Sequence, residues 1–153
     1  MKRAASIAVA LLVLTALASA QSGKGKSAIA PPPDESKIER HYWLLKNGGA
    51  IEIVCKAPCD SSTQTAIQSY LDSLSKAFEK GSFEPEFVGG ANAPESLITL
   101  RKLRDEVTFQ AASSDIGYSL RMLTVNPQAR DAIYDFMRYE ITNRKTGDPT
   151  TVE

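Results

Sequence analysis

Histidine, tryptophan and cysteine are scarce in this sequence, with one, one and two residues respectively. A lone histidine excludes sites built on a histidine pair, such as the H-E-x-x-H zinc helix. There is no G-x-S-x-G nucleophile elbow and no P-loop. An excess of one charge is also missing, since 18 Lys and Arg face 18 Asp and Glu. No nucleic-acid footprint is expected, because that needs a clearly basic face. A polybasic membrane-surface signal is absent for the same reason. Beyond residue 20 no apolar run approaches the ~20 residues of a bilayer span, so no membrane insertion of the mature chain is expected.

The first twenty residues do carry a pattern. Lys2 and Arg3 precede an apolar stretch from Ala4 to Leu17, and Ala18-Ser19-Ala20 follows. Charge, apolar run and A-x-A site in that order predict a cleavable secretory signal over residues 1–20, cut between Ala20 and Gln21. The protein is then exported, periplasmic or secreted. Without the leader, 16 basic and 18 acidic residues remain, a net charge of about −2. Residues 21–40 contain Gly23, Gly25, Pro31, Pro32, Pro33 and several charges, with little apolar content. Such a segment buries too little surface to offset its ordering entropy and reads as a flexible linker.

Residues 41–148 read as a single α+β domain, followed by a tail over 149–153. Asn47-Gly48-Gly49 lies between two apolar runs, which predicts a hairpin. Ile51, Ile53 and Cys55 alternate with polar neighbours and give that strand one inward face. Ser61 with Gln64 has capping-box spacing. Ile67, Tyr70, Leu71, Leu74 and Phe78 then form a helical stripe that ends at Gly81. Leu97, Leu100 and Leu103 suggest a short helix from Pro94 to about Arg104.

The second half repeats this order. Val107, Phe109 and Ala111 alternate, a turn spans Ser113 to Gly117, and Tyr118, Leu120 and Met122 alternate back. Asn126-Pro127 starts a helix, with Ala132, Ile133, Phe136, Met137 and Ile141 as its stripe and Gly147 as its stop. Ala66-Ile67, Tyr70-Leu71 and Gly81 match Ala132-Ile133, Phe136-Met137 and Gly147 at one constant offset. The reading is a duplicated β-hairpin–helix, ββα-α-ββα. It predicts a four-stranded antiparallel sheet with helices packed on one face.

Four segments resemble a family of small exported bacterial proteins with no established activity. They are LLKNGGAIEI (Leu44 to Ile53), FEKGSF (Phe78 to Phe83), LITLRKLRDEVTF (Leu97 to Phe109) and NPQARDAIYDFMRYEITNRKTGDP (Asn126 to Pro149). The resemblance covers nearly all of the chain from His41 on. Some members bear an aspartate carbamoyltransferase label, for which this chain is far too short and lacks an arginine-rich carbamoyl-phosphate loop. Members often carry histidines in the N-terminal segment and the last helix. Here Tyr134 and Arg144 occupy the helix positions, and the cysteines are not a family feature.

Cys55 and Cys59 are spaced C-x3-C. In an exported chain an even cysteine count reads first as a disulfide, and this one joins the end of a strand to the start of a helix. The alternative is a thiol-redox or copper site, because soft thiolates suit Cu(I) and His41 is the one histidine available as a third ligand. A thioredoxin-type site would need C-x-x-C. Glu84 and Glu86 flank Pro85 as paired carboxylates, a weaker hint of a small hydrolase, and read more simply as solvated loop acids. Tyr134, Arg138 and Tyr139 share the outer face of the last helix and form a candidate interaction surface. Tyr134 and Arg138 are also i,i+4 neighbours able to stack. Arg101, Lys102 and Arg104 read as a solvated face. Taken together, the sequence favours a non-catalytic exported accessory or binding protein with a structural disulfide. Its partner is an unnamed protein or small molecule, and a homodimer through an open sheet edge is an alternative.

Overall fold

Two hairpins meet through their second strands. The computed structural model describes residues 29–83, 94–114 and 117–153. The expected leader and residues 21–28 of the expected linker therefore lie outside the described residues. β1 (Ile38–Leu45) pairs antiparallel with β2 (Gly48–Cys55), and β3 (Thr108–Ser113) with β4 (Tyr118–Leu123). β2 and β4 then pair antiparallel, giving the order β1-β2-β4-β3. Strand alternation sends Tyr42, Leu44, Ile51, Ile53, Phe109, Leu120 and Met122 to one face, where all are buried. Each such large side chain contributes about 1.5–3 kcal/mol by leaving water.

That face is covered by helices. α1 (Ser61–Glu79) packs mainly on β3 and β4, and α3 (Pro127–Arg144) mainly on β1 and β2. Between them in sequence, α2 (Ser96–Lys102) packs against α3 and is followed by a 3-10 turn at Arg104–Glu106. The predicted stripes supply the core: Ile67, Tyr70, Leu71, Leu74 and Phe78 from α1, and Ala132, Ile133, Phe136, Met137 and Ile141 from α3. Phe78 meets Phe83, Phe109 and Phe136 at 4.5, 5.9 and 6.4 Å between ring centroids. The fold class is α+β, with an antiparallel sheet bearing helices on one face.

Several boundaries differ from the sequence reading. The ordered domain begins well before residue 41. Glu35–Lys37 form a 3-10 turn, and Ile38 to Arg40 are the first residues of β1. Ile38 is buried opposite Cys55, and Arg40 is buried because Glu35 pairs with its guanidinium at 2.7–3.2 Å. Glu35, Lys37 and Arg40, charges that made this segment look like linker, are thus paired within the fold. The cap of α1 is Asp60, not Ser61; the Asp60 carboxylate accepts from the Thr63 N–H at 2.7 Å. Asn126 caps α3 as expected, accepting from Gln128 and Ala129. That helix stops at Arg144, with Lys145 in the left-handed region, two residues before Gly147.

The first hairpin turns through Lys46 and Asn47, since Leu45 pairs with Gly48. Neither turn residue has positive φ, and Gly48 and Gly49 belong to β2. Gly48, at φ +148°, lets β4 approach: a Cβ there would lie 1.9 Å from the Met122 carbonyl oxygen.

Candidate functional site

The sequence-predicted cysteines meet at the corner between β2 and α1. They form a disulfide with Cα atoms 5.6 Å apart. Cys55 is half-buried against the core and Cys59 is exposed. The corner is also held by charge and hydrogen bonds. Lys37 pairs with Asp60 at 3.1 Å, and the Lys56 N–H donates to the Lys37 carbonyl. Hydrogen bonds from Ser62, Thr63 and Lys37 hold the Asp60 carboxyl well below the usual carboxylate range.

A cleft of about 450 Å³ opens beside the bridge. Ile53, Ile67 and the disulfide give it apolar surface, while Gln64, Gln68, Ser113 and Tyr118 supply hydrogen-bonding groups. Gln64 and Gln68 share one face of α1, one helical turn apart. The Tyr118 hydroxyl donates to Asp72 at 3.0 Å. Partial burial and that hydrogen bond raise its phenol pKa, so the ring stays neutral. No lining residue titrates near neutral pH, and the volume falls within the range of small-ligand sites.

His41 is not part of this cleft. It pairs with Glu52 across the hairpin, while Cys55 pairs with Ile38. Strand alternation therefore puts His41 and Cys55 on opposite faces of the sheet. The three candidate copper ligands do not form one cluster, and among the described residues no group of three His, Cys, Asp or Glu side chains is arranged to hold a metal ion.

His41 has another partner, which the sequence did not suggest. Its Nδ1 lies 2.9 Å from Asp148 Oδ1. Asp148 Oδ2 accepts from the Tyr42 N–H at 2.9 Å and from the Thr146 hydroxyl at 2.7 Å. A carboxylate only accepts, so Nδ1 is the donor in this contact. His41 and Asp148 thus have the base–orienter relation of hydrolytic triads. Thr146, the nearby hydroxyl, is spent on Asp148 and supplies no nucleophile. A polar groove of about 530 Å³ beside them is lined by Glu35, Glu39, Arg40, Arg144 and Thr146 as well as His41.

Behind that groove lies a buried polar cluster. Glu140, 1% exposed, accepts from Arg144 Nε at 2.7 Å and from the Tyr42 hydroxyl at 3.2 Å. Among the described residues its Oε1 has no hydrogen-bond partner. Burial raises the Glu140 pKa, against the pull of Arg144 and Tyr42, and also raises that of Tyr42. The adjoining cavity, about 10 Å³, is too small for a ligand.

The outer face of α3 is partly committed to structure. The Tyr134 hydroxyl donates to the Leu45 carbonyl at 2.7 Å, and the Arg138 guanidinium lies 5.8 Å from the Tyr134 ring centre. Arg138 also donates to the Thr150 carbonyl and pairs with Asp135. Tyr139 is half-buried. In the basic cluster, Arg101 donates to the Gly81 carbonyl and Arg104 pairs with Asp105 at 3.6 Å. Glu84 and Glu86 lie outside the described residues. No helix among the described residues is long and apolar enough to cross a membrane. No family model, curated protein or solved structure matches this chain.

Proposed function

We propose that the chain is a non-catalytic exported accessory or binding protein whose ligand or partner segment lies in the cleft beside the Cys55–Cys59 bridge. The observation that carries this reading is the lining of that cleft. It combines apolar floor with uncharged amide and hydroxyl groups, and it offers no general base or acid. The ligand suited to it is uncharged and rich in amides or hydroxyls, such as an extended peptide stretch. The bridge acts as a wall, fixing the strand-to-helix corner against which the ligand rests.

A second reading, thiol–disulfide exchange, is favoured by one observation: Cys59 is exposed where the bridge lines the cleft. A copper-handling role uses the same cysteines and would require His41 to leave Asp148 and cross to the other face.

The first experiment is a thiol and metal assay on protein purified without reductant. Free thiols are counted, the sample is reduced, and Cu(I) is titrated against a competing chelator. No free thiol and no tight copper binding support the binding-protein reading. Tight one-to-one copper binding that weakens in His41→Ala overturns it. Amide shift mapping with neutral peptides then tests the cleft directly, with Gln64, Gln68 and Tyr118 expected to move together.

A further inference from the structure

The sheet face opposite the helices carries a second depression, built by cross-strand neighbours. Trp43 on β1, Ala50 on β2 and Arg121 on β4 are register partners in one row, and Glu52 and Ser119 are partners in the next. Ala50 is small and 5% exposed, so it forms a floor between two long side chains two strand spacings apart, roughly 10 Å. The depression measures about 210 Å³ and is also lined by Leu45 and Glu153.

Its groups are set in advance. Trp43, the one tryptophan of the chain, donates its indole N–H to Glu52 at 3.2 Å and stacks on His41 with ring centroids 5.8 Å apart. His41 is in turn held by Asp148. Glu52 is 9% exposed and Ser119 5%. The Ser119 side chain also lines the depression.

We propose that this depression binds one ring of a neutral saccharide. The wall carries both signs, Glu52 and Glu153 against Arg121, so neither a bare anion nor a bare cation is answered on all sides. A hydroxylated ring presents apolar C–H groups on its face and hydroxyls at its edge. The face suits the indole of Trp43. The edge hydroxyls donate to Glu52, accept from Arg121 and do either with Ser119. The indole is immobilised beforehand, which lowers the ordering cost of binding.

The sole tryptophan reports on the site directly. Trp43 emission is titrated with cellotriose, maltotriose and tri-N-acetylchitotriose. At least one is expected to give a saturable change. Arg121→Ala and Ser119→Ala should each weaken that binding about tenfold, or 1.4 kcal/mol. Arg121 is exposed, so its replacement leaves the fold intact and far-UV circular dichroism unchanged. The proposal is overturned if none of the three sugars moves Trp43 emission, or if both variants bind as the parent does. It is also overturned if a lysine tripeptide produces the response instead. A sugar that shifts Gln64 and Gln68 but not Trp43 would favour the disulfide cleft over this face, so the two sites are separable.

Discussion

His41 and Asp148, 107 positions apart, are joined by a 2.9 Å contact that ties the end of the chain to the outer edge of β1. The same carboxylate accepts the Tyr42 N–H, and the Glu153 N–H donates to the Leu44 carbonyl at 3.0 Å. An edge strand left bare invites pairing with other chains; here residues of the tail occupy that edge. Replacing Asp148 by Ala leaves the Tyr42 N–H without its acceptor and frees His41. The expected cost is about 2 kcal/mol, read as a lower urea midpoint at unchanged m-value. Hydrogen exchange gives the sharper readout, because the Tyr42 amide should lose its protection. An Asp148→Ala protein with a slow Tyr42 amide would show that the edge is held by something else.

Glu140 predicts a pH dependence of defined sign. Burial raises its pKa above the ordinary 4.5, so the folded protein holds a proton that the unfolded chain releases. Stability from this group is fully present below the unfolded pKa and falls as pH rises through the folded one. Glu140→Gln removes that slope. The stability of the parent relative to Glu140→Gln should therefore decline from about pH 4.5 upward and level off once Glu140 is ionised in both states. Urea midpoints across a pH series measure this. A difference that grows with pH would mean that the Arg144 pairing outweighs burial.

The strands and helices were legible because each shows its own period. Ile51-x-Ile53 and Leu120-x-Met122 alternate, while the Ile67 to Phe78 and Ala132 to Ile141 stripes recur at helical spacing. Asn126-Pro127 was legible as a cap because both residues act locally. What escaped the sequence was non-local. Arg40 looks like a linker charge until Glu35 neutralises it, and Asp148 looks like a tail residue until the fold brings it to His41. The depression on the open face was equally hidden, since Trp43, Ala50 and Arg121 become neighbours only through the β1-β2-β4 register. The cysteine pair lay close in sequence, so its pairing was readable, whereas the cleft beside it needed β4 in place.

Gly48 and Gly147 separate close approach from backbone conformation. Both have positive φ, +148° and +80°. A Cβ at Gly48 would strike the Met122 carbonyl at 1.9 Å, whereas one at Gly147 meets nothing within 4 Å. Gly48→Ala must push β4 off β2 and should cost at least about 3 kcal/mol. Gly147→Ala carries only the left-handed penalty, about 1 kcal/mol. Thermal unfolding of the two variants checks the order. Equal losses would mean that the hairpin yields at the Met122 contact without breaking the sheet.

The Cys55–Cys59 bridge closes a short loop, so its contribution is bounded. In the chain-entropy model a five-residue loop gives about 2 kcal/mol. Cys55 is only half-buried at the margin of the core that holds Phe78, Phe83, Phe109 and Phe136, and Cys59 is exposed. The reduced protein should therefore stay folded, with a urea midpoint lower by that amount, and Cys55→Ala/Cys59→Ala should match it. Cys55 is half-buried and Cys59 exposed, and attack on a disulfide follows access. Brief treatment with glutathione followed by an acid quench should place the adduct on Cys59, the exposed partner. Peptide mapping by mass spectrometry reads the position. An adduct confined to Cys55 would contradict the geometry of the corner. Unfolding on reduction would mean that the bridge holds far more of the fold than its loop length predicts.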